Sequence, residues 1–180
     1  MKKTLTQGSE EWLEWRRTKI GASDAPIIMG ENPYMKPEVL KMKKILGIEE
    51  EMNFFMKRGK ELESEALYYF TLIVEMPMSP ICFESDEFSW MTASLDGWNE
   101  DNRTLVEIKC PGKKTHSIAL EGKVPVQYIA QLQHQMKVME VDECYYYSYY
   151  DGQGKVIEVK RDQAYIDRMI EKEYEFWKSL

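Results

Sequence analysis

Residues 94–111 read SLDGWNEDNRTLVEIKCP. Asp96 closes one alternating apolar run, and Glu107 and Lys109 stand in the next with a single isoleucine between them. In a strand, residues two apart share a face, so Glu107 and Lys109 project together while Val106 and Ile108 face the opposite layer. Upstream, Met91, Ala93 and Leu95 alternate with Trp90, Thr92, Ser94 and Asp96, which predicts a strand over 89–96. GWNEDNR is turn chemistry, and 104–109 reads as the partner strand. Pairing the two as a hairpin brings Asp96 close to Glu107. Adjacent carboxylates repel, so their proximity implies a bound cation or a raised pKa. Hard divalent ions such as Mg²⁺ take oxygen ligands of this kind and keep waters for a substrate. A lysine beside them could orient or deprotonate an attacking water, or offset phosphate charge. By spacing alone, a half-exposed strand pair decorated with an E-x-K salt bridge fits equally well.

The neighbouring helices bear on that choice. Residues 52–75 predict a long helix that stops before Pro77, with an apolar stripe of Phe55, Ala66, Phe70, Ile73 and Val74. At ~100° per residue Glu63 falls about 40° from the centre of the stripe, whereas Glu61 and Glu65 fall opposite. A carboxylate aimed at a core needs a partner or a metal; the bland alternative is a glutamate at the stripe's edge, paired with an arginine. Residues 125–140 predict another helix, with Ile129, Leu132, Met136 and Met139 as its core stripe. Gln127, Gln131, His134 and Gln135 run alongside as neutral donors, and Gln131 sits against the seam. His134 is one of only two histidines and reads as a flanking polar residue, with no second histidine at zinc-ligand spacing.

Elsewhere, 9–19 reads as an amphipathic helix with Trp12 and Trp15 on one side. Ser23 or Asp24 is an N-cap candidate ahead of Pro26, and 37–46 is a basic helix ended by Gly47. Strands at 143–150 and 154–160 form a hairpin across DGQG, and a last helix runs over 162–178. The order is helices, two or three strands, helix, two strands, helix: a mixed α/β fold.

The 180 residues suit one domain with a substantial core, and 43% apolar with 12% aromatic content excludes a disordered chain. No apolar stretch nears the ~18 residues of a membrane span. MKKTLTQGSEEW lacks the apolar centre of a signal peptide. Cys82, Cys110 and Cys144 are odd in number and scattered, which argues against a disulfide framework or a thiolate metal cage; a reduced, cytoplasmic protein is expected. The formal net charge of −7 argues against broad coating of nucleic acid. Basic residues nevertheless cluster at Lys36, Lys41, Lys43 and Lys44 and again over 103–123, while acids gather at Glu49–Glu51, Glu84–Glu87 and the last helix.

The stretch SLDG followed by LVEIKCP resembles the motifs of the PD-(D/E)xK nucleases, and more narrowly the lambda-exonuclease or YqaJ-type viral recombinase branch. WRRTKIGASD resembles that family's N-terminal arginine and serine motif, RGKELESEA its glycine and glutamate helix motif, and QYIAQLQHQM its glutamine helix. Four motifs in order cover roughly residues 9–150. The resemblance implies a PD-(D/E)xK-like mixed central sheet flanked by helices, with 1–180 as one nuclease domain. It implies that Asp96, Glu107 and the Ile108 carbonyl hold metal, that Glu63 serves a second ion, that Lys109 positions or activates the water, and that Gln131 supports water or lysine. The ions would be two Mg²⁺, with Mn²⁺ as a substitute. Arg16 and Ser23, seven apart, would bind a 5′-phosphate of DNA, with Arg17 as an adjacent candidate. The implied activity is 5′→3′ digestion of linear double-stranded DNA from its ends, in a phage or prophage protein acting beside a single-strand annealing protein. The chain is somewhat compact for the lambda-type enzymes, which leaves the family's ring-shaped trimer open. Leu95 stands where many relatives carry proline. Another nuclease of the same fold (an endonuclease or a Cas4-like exonuclease) and a non-catalytic DNA-binding or assembly domain are the alternatives. The scattered cysteines speak against a Cas4-like iron–sulfur cluster.

Overall fold

The computed structural model describes residues 1–48 and 53–180. Glu49–Glu51, the first residue predicted for the long helix and the side chain of Phe55 lie outside the described residues. Helix α1 (Glu10–Arg17) starts where Ser9 accepts the Trp12 N–H, and α2 (Ala25–Ile28) opens with Pro26 in its first turn. Helix α3 (Pro37–Leu46) ends at Gly47, whose φ of 64° is the left-handed stop that glycine adopts without strain. Helix α4 (Phe54–Val74) is capped by the Asn53 side chain and ends just before Pro77. The remaining helices are α5 (Lys113–Leu120), α6 (Ile129–Met139, after a 3₁₀ turn at Val126–Tyr128) and α7 (Gln163–Lys178).

The strands are β1 (Lys2–Lys3), β2 (Ile20–Gly21), β3 (Ser79–Glu84), β4 (Met91–Asn99), β5 (Thr104–Lys109), β6 (Glu143–Tyr150) and β7 (Gln153–Lys160). They form one seven-stranded sheet in the order β1-β3-β4-β5-β6-β7, with β2 beside β4. Strands β5 and β6 are parallel and are joined through α5 and α6, since a parallel pair needs a long crossover. Strands β6 and β7 close in a two-residue turn at Asp151 and Gly152, both at positive φ (51° and 75°), so Gln153 and Gly154 belong to the strand rather than the turn.

The expected mixed sheet flanked by helices is what forms. On one face α2, α6 and α7 bury Leu95, Trp98, Leu105, Leu132, Met136, Ile166 and Met169 together. On the other, α4 lays Ala66 and Phe70 against Val106, Ile108, Tyr147 and Tyr149, as the period-2 reading of β5 required. Ile73, expected in the α4 stripe, is instead 56% exposed, because Leu67 and Val74 make the flanking contacts.

Strand β4 departs from the sequence reading. It runs through Gly97, Trp98 and Asn99, which read as turn chemistry; the turn proper is 100–103. Opposite β3, Ile81 faces Leu95 and Ser79 faces Trp98, so two steps on β3 meet three on β4. The extra residue is a β-bulge at Asp96–Gly97. It flips the alternation, which puts both Leu95 and Trp98 into the same core. Gly97 has no room for a side chain: a Cβ there would stand 2.7 Å from Val106 Cγ1 and 3.0 Å from Leu67 Cδ1. Gly97→Ala should therefore cost about 1–3 kcal/mol in stability, read as a lower midpoint in denaturant unfolding; an unchanged midpoint would show that α4 gives way freely.

Candidate active site

Glu107 is 2% exposed, with a carboxylate between β5 and α6. Gln131 donates to its Oε1 at 2.6 Å, and Gln135, one helical turn further, donates to its Oε2 at 2.5 Å. Lys109, two residues along the same face, also donates to Oε1. The amide row on α6 is thus not beside the core but in it, because residues 130–139 of that helix are buried all round. His134, read as a flanking polar residue, is fully buried. Its Nε2 donates to the Thr92 carbonyl at 2.9 Å and its Nδ1 lies 2.8 Å from Glu173 Oε1, tying β4 to α7. Burial pushes the Glu173 carboxyl up, partly offset by His134.

Asp96 lies where the β4–β5 ladder opens. The last bridge is Gly97 to Val106, and beyond it Asp96 Oδ2 accepts the Ile108 N–H at 2.7 Å. The side chain thus replaces the missing ladder partner. In a strand the N–H and C=O of one residue point to the same edge, so the Ile108 carbonyl is directed to the Asp96 side as well. Glu63, from α4, lies within electrostatic reach of Asp96 and Glu107. Three carboxylates from β4, β5 and α4 and the Lys109 ammonium are therefore in mutual electrostatic reach.

The pKa values record this crowding. Burial and then the Glu107 charge raise Asp96 well above the ordinary carboxylate range, and the same two causes raise Glu63. Burial alone would lower Lys109, but Glu107 and Asp96 reverse that and hold it above its usual value, so it is a cation at neutral pH. Cys110 is pushed up to about 12, by burial and then by Glu63 and Asp96, which keeps it a thiol. Among the described residues, the cysteines are all unpaired.

Among the described residues no three His, Cys, Asp or Glu side chains close into a metal cage. The donor set suits a hard ion of the Mg²⁺ type, which uses one or two carboxylates and keeps several waters. Each carboxylate has about four acceptor sites. On Glu107 the two donors at Oε1 leave that oxygen saturated, while Oε2 has one donor and one open lone pair.

Arg16 and Ser23 also meet. The guanidinium donates to Ser23 Oγ at 2.6 Å and lies 4.4 Å over the Trp12 ring. The guanidinium lies close over Gly21, 2.9 Å from where a Cβ would stand. The indole N–H of Trp12 in turn donates to Ser94, two residues from Asp96. Arg17 faces away and pairs with Glu14. Lys44, counted among the basic cluster, is turned inward. It pairs with Asp24 at 2.8 Å and donates to the Arg16 and Lys19 carbonyls. Burial would raise Asp24, but Lys44 and Arg16 hold it below the usual carboxylate range. Asp24 therefore does not cap α2 with its side chain; it accepts the Gly21 N–H.

Two neighbours of the carboxylates have no partner assigned by the sequence. Gln135 stands in the row of neutral donors, four residues beyond Gln131. Tyr128 carries Lys109 Nζ 5.4 Å over its ring and stacks on Tyr146 at 5.7 Å; nothing in its spacing marked it.

Comparison with known proteins bears on the family and the fold. The YqaJ-like viral recombinase domain matches residues 11–142. The uncharacterized protein YqaJ of Bacillus subtilis is 26% identical over 97% of this chain and 57% of its own length. The uncharacterized protein R354 of Acanthamoeba polyphaga mimivirus is 27% identical over 77% of this chain and 28% of its own. The chain thus spans little more than half of one curated relative and under a third of the other. Among solved structures, the alkaline exonuclease LHK-Exo of Laribacter hongkongensis superposes with a TM-score of 0.80 at 27% identity, over 93% of this chain and 90% of that one. A phage-related exonuclease from Haemophilus somnus, at 16% identity and a TM-score of 0.72 over 89% and 92% of the two chains, shares the fold. With most of its length matched, and with the arginine, glutamate, D…ExK and glutamine segments in one fold, the chain belongs to the YqaJ-like viral recombinase domain family.

Proposed function

We propose that this chain is a metal-dependent deoxyribonuclease, and more narrowly an Mg²⁺-dependent 5′→3′ exonuclease that digests linear double-stranded DNA from its ends in phage-type recombination. The observation that carries the reading is Glu107: a carboxylate inside the core, held as an acceptor by two neutral amides and one lysine, with Asp96 and Glu63 against it. So much negative charge gathered in one place is costly unless cations complete it. The likeness to an alkaline exonuclease and to a viral recombinase domain supports the same substrate class.

In this reading Asp96, Glu107 and the Ile108 carbonyl hold one ion, and Glu63 with Asp96 serves a second. When bound, the ions would shield the phosphodiester oxygens and lower the pKa of an attacking water. The chain's own residues do the rest. Lys109, cationic here, stabilises charge developing on the phosphate and orients the water rather than removing its proton. Gln131 keeps Glu107 facing the site. Arg16, flattened on Trp12 and bonded to Ser23, presents its remaining guanidinium N–H groups to a terminal 5′-phosphate. Digestion of one strand exposes the other, so a single-strand annealing protein is the partner such an activity implies, and a ring-shaped trimer would make the digestion processive.

Two measurements test this. Linear duplexes with 5′-phosphate or 5′-hydroxyl ends, and closed circles, are incubated with Mg²⁺ or Mn²⁺. Wild type should consume linear duplex only with metal and prefer the phosphorylated end, and Lys109→Ala should lose activity by ~10²–10³-fold. No metal-dependent loss of duplex sinks the enzyme reading, equal cutting of circles makes it an endonuclease, and indifference to the 5′ group removes the role of Arg16 and Ser23. The second concerns stability without metal. Because Asp96 has a raised folded-state pKa, its ionisation opposes folding; the cost is absent in acid and grows as pH rises from the ordinary carboxylate value through the raised one. Asp96→Asn keeps an acceptor for the Ile108 N–H but removes the charge. It should melt above wild type at pH 8 in chelator, with the gap closing as pH falls, while its nuclease activity is lost. A lower melting temperature at pH 8 would show that the three carboxylates do not strain the fold.

A further inference from the structure

We propose that Gln135 is a second positioning residue, which with Gln131 holds the Glu107 carboxylate in the one orientation that leaves it a metal-binding lone pair. This rests on the nuclease reading above. Residues four apart on a helix share a face, so Gln131 and Gln135 address β5 together. One amide takes Oε1 and the other takes Oε2. With Gln131 alone, the carboxylate could turn about its last torsion; with both, its plane is fixed. Neutral amides suit the task because they favour the anion without cancelling it. A cation in place of Gln135 would itself be the counter-ion and compete with the metal.

The unpaired end of the side chain separates this role from ordinary core packing. Gln135 is fully buried, yet its Oε1 has no hydrogen-bond partner. A glutamine kept for stability would be satisfied at both ends, since a buried unpaired amide oxygen is unfavourable. The amide cannot simply be turned round, because its oxygen would then face the Glu107 oxygen. Gln135 therefore makes one bond at the expense of leaving its other end bare, and that bond is to a proposed metal ligand. Partners of this kind, one step behind a ligand, typically set metal affinity by ~10–100-fold.

The test uses the full chain with Gln135→Met, which keeps the volume, removes the N–H and removes the orphaned oxygen. Gln135→Leu is measured alongside, so that a packing fault in one shape does not decide the outcome. The readouts are thermal melting in chelator, Mn²⁺ affinity by electron paramagnetic resonance without DNA, and digestion against Mg²⁺ concentration. The variants should stay folded, melting somewhat below wild type because Glu107 loses one of its three donors, bind Mn²⁺ ~10–100-fold more weakly and need correspondingly more Mg²⁺ for half-maximal digestion. Their KM for DNA ends at saturating metal should be unchanged. Wild-type Mn²⁺ affinity in a folded variant overturns the inference and leaves the nuclease reading standing. So does weakened affinity in only one of the two variants, which marks a packing fault of that side chain. If wild type itself binds no Mn²⁺ and digests no DNA, the nuclease reading falls first and this inference with it.

Discussion

A carboxylate with almost no exposed surface governs how this molecule is put together. Taking an ionised Glu107 out of water is prohibitive unless donors are waiting for it. Two of them sit on α6, one turn apart, so that helix can lie against β5 in only one rotational setting. That setting puts Leu132 and Met136 into the main core and His134 under β4, where it reaches the Thr92 carbonyl and the α7 carboxylate of Glu173. The third donor, Lys109, is carried by the strand itself. The parallel step from β5 to β6 follows from the same arrangement, since the crossover that makes it parallel is the segment that delivers the glutamines. Packing and site are thus one constraint: whatever moves α6 unpairs a buried charge.

The bulge in β4 is the complementary device. A regular strand would continue the ladder past Gly97 and give Ile108 a backbone partner. The extra residue ends the ladder there, and the Asp96 side chain takes the Ile108 N–H instead. A carboxylate is thereby placed at a gap in the sheet, with a backbone carbonyl directed to the same gap and α4 near enough for Glu63 to join. Gly97 is part of the device, because the space a side chain would need is filled by Val106 and Leu67.

Most of this was legible in the sequence where a local rule decides it. Period-2 alternation placed Val106 and Ile108 against Glu107 and Lys109, and capping residues placed the ends of α1, α3 and α4. The inward turn of Glu63 followed from helical angle alone. What stayed hidden depends on partners far along the chain. Gly97, Trp98 and Asn99 carry turn residues yet belong to a strand, because β3 and β5 supply pairing that composition does not announce. Lys44 looked like a surface cation because its partner, Asp24, lies 20 positions away, on another helix's threshold. Gln135 reads only as one of a row of neutral donors, because the amide pattern gives no sign of which oxygen awaits it. Helix α5 escaped because KKTHSIAL, of which only His116 and Ala119 are buried, is too short and too polar for its period to show.

Those long-range pairings also bear on how an acidic chain could serve a polyanion. Two cations that inflate the basic clusters are already committed: Lys44 is on Asp24, and Arg103 reaches the carbonyls that end α6. Outside the clusters, Lys137 pairs with Glu87 and Glu140. Other cations are differently placed: Arg16 is flat on Trp12, Arg58 lies over Tyr150, and Lys113 and Lys114 are exposed just past the end of β5. The formal net charge of −7 is a sum over the whole chain and does not describe the charge beside any one group. In the proposed nuclease the local order would decide the encounter: an arginine fork bonded to a serine, then three crowded carboxylates, then a lysine held between a glutamate and a tyrosine ring. Such a row of contacts would hold a phosphate presented at one place in preference to the diffuse charge of a backbone.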